Sequence, residues 1–482
     1  MREFDRRRWF ALVAALGAAA SAGCGRDEGR KMVPQDEVAA IVGQVERTAS
    51  FPTVDELNRF IDDMVAAHPD RVAVEEIGRS RGGDPLREVR IGTGPRHLVV
   101  LGNPHPNEPI GMATIRHLIG RLARDEADTL GATWHFVPCV DPDGTRLNEG
   151  WFARPLTRTS VARGYYRPAG DEQPEWCFPI TWRGAPVGVP MPETRALMAL
   201  IDRTKPALIA SLHNADFGGG FFYCSGGDAG YWSALGRLLD DAGVPRFLGE
   251  PDAPGAARWA EGVFELPAFE KMADALTAVG VDPVATIGGG GSRDYAAPYG
   301  TAVLVSELPL WVDERIGDKT VSDRSIGSVV RSSAASYREI AALVAQVLER
   351  LGDRLTGRSP FERALRAVPA SLSEMAVEKE AASGQDRLAT RGEIFMEEYV
   401  WTGMLRLRTG GLLLRLLDAE AERDPSPVVA AEKARVATVF DGWSADIERN
   451  APGEPVPLAA LITIQAGSIV TAAARLRDGL PV

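Results

Sequence analysis

The chain has 482 residues, 45% hydrophobic and 25% charged, and carries a net charge of −12 at neutral pH. That length allows two or three domains and a sizeable core. The acidic balance argues against nucleic acid, which calls for a basic stripe, and the four cysteines, none closely spaced, exclude a cysteine-built metal framework.

Residues 1–24 read as an export signal. Arg2 and the arginines at 6–8 form a basic start, residues 9–20 are an apolar core too short for an ordinary span, and small residues follow. Arg7-Arg8-Trp9-Phe10 is similar to a twin-arginine signal. Ser21-Ala22-Gly23-Cys24 resembles a lipoprotein cleavage box with Ser21 where Leu is usual, so Cys24 is a candidate for lipidation and membrane attachment. Either route places the mature chain outside the cytoplasm, extracellular, periplasmic or membrane-anchored, where disulfides are permitted. Cys139 reads as a small buried apolar residue. Cys177 and Cys224 are a candidate pair whose geometry the spacing leaves open.

Residues 25–50 form a polar, charged linker. A helix then opens at Thr53, with Glu56 in capping-box position and an apolar face of Leu57, Phe60, Ile61, Met64 and Val65. Residues 72–77 and 86–91 look like paired strands. A buried-strand run at 98–101 is broken by Gly102, Asn103 and Pro104, and Pro109 opens the next helix. Residues 133–140 form another strand, ending in the turn sequence 141–144. From 147 to 189 periodicity is lost, but seven aromatic residues argue for an ordered wall of a cleft. A helix at 192–204, a strand at 206–213 and further alternation predict an α/β domain over 51–315. The glycines at 288–291 predict a mobile loop at the site, and 301–308 is a strand carrying Glu307. Beyond 316 the rhythm is helical throughout, predicting an all-helical C-terminal domain, 316–482. Residues 456–474 hold no charge over 19 positions. Thr463, Gln465, Ser468 and Thr471 make the stretch too polar for a span and suited to a buried bundle helix.

His105 and Glu108 sit on the loop at the carboxyl end of strand 98–101, where open α/β sheets bind ligands. The His-x-x-Glu spacing alone is uninformative: with 6 His and 66 acids it arises by chance about 0.8 times in such a chain. Its setting is more telling, because His213 ends a second buried strand. Imidazole and carboxylate together suit zinc. His68, His97, His117 and His135 lack such a setting. Glu307 is a charge inside an apolar strand, seldom buried without a partner, so its tip is expected to face the cleft.

Five ordered segments between residues 51 and 311 resemble the zinc carboxypeptidases of the carboxypeptidase A type. IGRSRGGDPLREVR (77–90) resembles the family's lead-in and HPNEPIG (105–111) its first zinc motif. PCVDPDGTRLN (138–148) is similar to its "P..NPDG..R.N" segment, with Asp141 where Asn is usual. PETRALMAL (192–200) resembles the helix before the third ligand, and AVLVSELP (302–309) the strand of the catalytic glutamate. The resemblance implies a mixed central sheet with flanking helices, and one zinc ion per chain on His105, Glu108 and His213. It implies Glu307 as general base and Arg146, in the "GTR" position, as oxyanion stabiliser. Two family features are missing. No Asn-Arg pair occurs between 148 and 213, leaving Arg154, Arg158, Arg163 or Arg167 to supply a carboxylate-binding cation. The usual tyrosine is replaced by Thr286 and Ile287, leaving Tyr295 or Tyr299 to substitute. Arg293 lies near the family's side-chain-selecting position and implies a preference for acidic residues. The expected function is an exported zinc metallocarboxypeptidase acting on peptides. The alternatives are a zinc amidohydrolase of the same fold, acting on a small amide or cell-wall peptide, and a non-catalytic binding protein.

Overall fold

Strands form where the sequence offers short β-branched and aromatic runs, and helices where apolar residues recur every three or four positions. The computed structural model describes residues 33–482 other than 154, 250, 252, 279, 385 and 386. The stretch expected to be an export signal, Cys24 and Arg154 lie outside the described residues.

Helix α1 (Gln35–Val42) falls inside the stretch expected to be a linker; it buries Val38, Ile41 and Val42. Helix α2 (Val54–Ala67) starts at the capping box of Thr53 and Glu56. Then come β1 (Val72–Arg79), β2 (Pro85–Ile91), β3 (Arg96–Gly102), α3 (Ile110–Ala123), β4 (Ala132–Val137) and α4 (Pro142–Asn148). The aperiodic loop holds α5 (Arg158–Gly164) and a hairpin of β5 (Ile180–Trp182) and β6 (Ala185–Val187). Helix α6 (Pro192–Thr204), β7 (Leu208–Phe217), β8 (Phe221–Cys224), α7 (Ala229–Asp241), β9 (Arg258–Ala260) and β10 (Val263–Glu265) follow. Helices α8 (Phe269–Ala278), α9 (Pro283–Ile287) and α10 (Ser292–Ala296) then lead into β11 (Ala302–Val312).

The main sheet runs β1-β2-β4-β3-β7-β11-β8-β10-β9. Its centre, β4, β3, β7 and β11, is parallel and flanked by antiparallel pairs. Covered on both faces by helices, the central strands are apolar almost throughout. The register sets Gly102 beside Leu212 and His213 beside Glu307. The candidate ligands and Glu307 therefore gather at one end of three adjacent strands.

The helical region contains β12 (Val321–Ser325), α11 (Ile326–Leu351), α12 (Pro360–Ala382), β13 (Leu388–Thr390), α13 (Arg391–Phe395), a π-helical turn (Met396–Trp401), α14 (Thr402–Arg423) and α15 (Pro427–Asn450). It is not wholly helical, since β12 pairs with β13. Nor does it stay apart from the sheet. Strand β14 (Glu454–Pro455) pairs with β11, and α16 (Leu458–Arg477) packs on α1, α3 and α7. A helix without charge on any side over most of its length must be enclosed all round, and the α/β layer encloses it. Helices α11–α15 are thus an insertion between β11 and the last helix, and Val33–Val482 form one compact unit. Cys139, Cys177 and Cys224 are free thiols, so Cys177 and Cys224 are not bridged.

Candidate metal centre

The loop after β3 owes its path to two local features. Asn103 takes a left-handed backbone, φ 53°, turning the chain out of the strand; Asn is among the few side chains suited to that region. Its amide donates to Thr145 Oγ1 at 2.5 Å. Gly111, in the first turn of α3, lies so close to the sheet that a Cβ there would stand 2.8 Å from Leu212 Cβ. The helix start is thereby drawn down onto β7, beside His213.

His105, Glu108 and His213 are 4%, 3% and 3% exposed, with ligand atoms all within 4.8 Å of one another. His213 Nδ1 is 3.1 Å from His105 Nδ1 and 2.9 Å from Glu108 Oε2; His105 Nδ1 is 3.2 Å from the same oxygen. Ligands about 2.0–2.1 Å from a tetrahedral ion lie about 3.3 Å apart. Two imidazole nitrogens and one carboxylate oxygen thus converge at the spacing zinc requires, and with the donor set zinc prefers. The partners of His213 support the same reading. His213 Nε2 is 2.9 Å from Glu175 Oε2 and 3.0 Å from Ser211 Oγ, so its outer nitrogen has partners and Nδ1 is turned inward. Ser211 also donates to Glu175 Oε1 at 2.8 Å. His105 Nε2 is 3.9 Å from Glu175 Oε2.

Burial and the nearby Arg167 guanidinium push His105 down to about 4, which keeps the ring neutral. Burial opposes the charge on His213, but Glu175 and Glu108 outweigh it and hold this imidazole well above its usual value. Against burial, His213 and His105 bring Glu175 down to about 2.

Glu307 Oε1 lies 3.8 Å from His213 Nδ1, with the side chain 20% exposed. Both residues line a cavity of about 610 Å³, together with His105, Glu108, Arg167 and Arg293. Arg167 donates to Glu108 Oε1 at 2.8 Å and to Gln173 at 3.1 Å. Arg293 has its Nε buried without a hydrogen-bond partner and NH1 3.8 Å from Asp294.

Other residues singled out from the sequence lie elsewhere. Arg146 is not in the cavity wall: its guanidinium donates to Asp84 at 2.6 Å and Asp55 at 2.8 Å, its charge taken up by the β1–β2 turn and α2. Tyr295 and Tyr299 both donate to Asp202 at 2.8 Å, and neither lines the cavity. Arg158 donates to the Ala451 and Tyr399 carbonyls, and Arg163 to Asp441. Of the loop arginines described, Arg167 is the one at the site. The remaining histidines serve the scaffold. His135 binds Glu88 and His97, His117 donates to the Val42 carbonyl, and His68 ends α2.

Three contributors went unread in the sequence. Glu175 lies in the aperiodic loop, where no pattern marks it. Asn214 accepts the Ile110 N–H at 3.3 Å while its own N–H meets Glu108 Oε2 at 3.3 Å, tying β7 to α3. Gln465 on α16 is fully buried, donates to the His213 carbonyl at 3.0 Å and accepts from Thr114 at 2.8 Å. A lone amide in an otherwise apolar helix is the one signal that could have exposed it, because buried polar groups need partners.

Residues 57–224 match the model of the zinc carboxypeptidase family. Zinc carboxypeptidase A 1 of Anopheles gambiae is 25% identical over 139 residues, 27% of this chain and 31% of that protein. Carboxypeptidase B of Astacus astacus is 24% identical over 102 residues, 20% of this chain and 34% of that one. The chain thus spans about a third of the length of these curated relatives. Among solved structures, carboxypeptidase A from Helicoverpa armigera is 14% identical with a TM-score of 0.38, over 72% of this chain and 78% of that chain. The matched stretch carries β3, the loop of His105 and Glu108, and β7, and over it the chain is similar to the zinc carboxypeptidase family.

Proposed function

We propose that the protein is an exported zinc-dependent hydrolase that cleaves peptide bonds, with one ion per chain on His105, Glu108 and His213. The observation that carries this reading is the convergence of three buried ligand atoms beside Glu307 in one cavity. Zinc in that position supplies Lewis acidity toward a substrate carbonyl and toward water. Glu307, fixed beside His213 by strand register, takes the proton from the attacking water and passes it to the leaving amine. Arg167 supplies the cation closest to the ligand cluster, and we assign it, in place of Arg146, to charge developing on the carbonyl oxygen. Arg293 gives the cavity a guanidinium suited to an acidic side chain or terminal carboxylate. Export rests on the basic and apolar pattern of the first 24 residues.

The test pairs metal content with hydrolysis of N-blocked dipeptides, comparing wild type with Glu307→Gln. About one zinc per chain in both, and a loss of about 10²-fold or more in the variant, is expected. Zinc without cleavage of any dipeptide would shift the reading to an amidohydrolase of the same fold. Absence of metal binding would leave a binding protein.

A further inference from the structure

The helical insertion has no part in the chemistry above, yet it builds one wall of the same cavity. Ser371, Glu374, Met375 and Glu378 line it from α12, and steps of three and four place them on one helix face. Val400 and Trp401, ending the π-helical turn, line it as well, and Met404 and Arg408 continue the stripe along α14. Two helices, 255 or more residues from His105, thus each turn one stripe toward it. π-Helical turns are rare and are frequently found at functional sites.

The wall is fixed to the catalytic strand. Arg408 grips Asp216, three residues beyond His213, with two parallel bonds of 2.8 and 2.6 Å. Its guanidinium also stacks 4.9 Å from the Tyr165 ring. Arg158 binds the Tyr399 carbonyl just before Val400. Gly411 lies against the Ala162 carbonyl so closely that a Cβ would stand 1.8 Å from its oxygen. These contacts hold the α12 and α14 stripes in place beside the metal centre. The cavity holds about 610 Å³, within the range of about 300–1,000 Å³ typical of sites that enclose a small ligand, room for about three or four residues.

We propose that the insertion is a length gate, so that the site accepts peptides or peptide-like amides of about two to four residues and rejects longer chains, whose far ends meet α12 and α14. This rests on the hydrolase reading and narrows its substrate class. The test measures kcat/KM of the zinc-loaded full chain on N-acetylated peptides of about two to eight residues, all ending in the pair cleaved fastest among blocked dipeptides. A fall of about tenfold or more between three and eight residues is expected. Met375→Ala/Met404→Ala, which widens the wall without touching its ion pairs, should raise the eight-to-three ratio about threefold or more. Rates constant within about threefold, or rising with length, would overturn the gate while leaving the hydrolase intact. Cleavage of no member would overturn both. If the double variant does not melt cooperatively, the wild-type series decides alone.

Discussion

Asp141→Asn is expected to make the fold less sensitive to rising pH. The carboxyl is 2% exposed; Oδ1 accepts the Gly144 N–H at 2.9 Å, capping α4, and Oδ2 is buried without a hydrogen-bond partner. Burial pushes its pKa up to about 7 from an ordinary 3.8, with Glu193 and Asp143 adding to the shift and the Gly144 N–H opposing it. The folded value lies above the unfolded one, so the native chain holds this proton more tightly. The penalty is absent below about pH 3.8, grows through the window up to about pH 7, and is constant above it. Each pKa unit is worth about 1.4 kcal/mol, which sets a ceiling of about 4 kcal/mol at pH 8 and about 2 at pH 5. Asparagine keeps the capping oxygen and brings no charge. Any cost of its buried amide is the same at both pH values and cancels in the comparison. Urea unfolding of both proteins at pH 5 and pH 8 should show the stability of the variant relative to wild type improving by about 1–3 kcal/mol between the two. An unchanged difference, or one that shrinks at pH 8, would show that Asp141 is not held protonated.

Glu175→Gln removes the carboxylate that orients His213 from behind, and should weaken zinc binding by about 10–100-fold in a competitive chelator titration; unaltered affinity would mean that Glu175 plays no such part. Deleting residues 458–482 should abolish cooperative unfolding of the purified chain. Leu458, Leu461, Ile462, Ile464, Ile469 and Val470 are buried, and losing such burial at about 1.5–3 kcal/mol per side chain exceeds much of the about 5–15 kcal/mol that holds a domain together. A truncated protein with a sharp melting transition would contradict this.

The ligand loop was legible because its physics is local. A strand run, a Gly-Asn-Pro break and a helix-opening proline stand within a dozen residues, and the same logic places His213 and Glu307. Where the Arg146 guanidinium goes is not shown by any linear motif. Its fate depends on Asp55 and Asp84, carried by α2 and the β1–β2 turn, which fold back over α4. Helix α1 was within reach, since Val38, Ile41 and Val42 recur at helical steps, but the charged residues around them masked three apolar positions.

The boundary drawn near residue 316 marks a change of composition and not of packing. Composition does change there, because β11 ends and an insertion begins, but composition records only where helices start and not what they pack against. Two features further along carried that information. The 19-residue stretch without charge was too polar for lipid and too apolar for a bundle surface, leaving only a position enclosed on all sides. Gln465 within it needed a buried polar partner, which it finds in the His213 carbonyl. Helix α16 is therefore part of the scaffold around His213, and α11–α15 are bracketed by β11 and α16. That double attachment is what lets helices so distant in sequence act as a wall of the site.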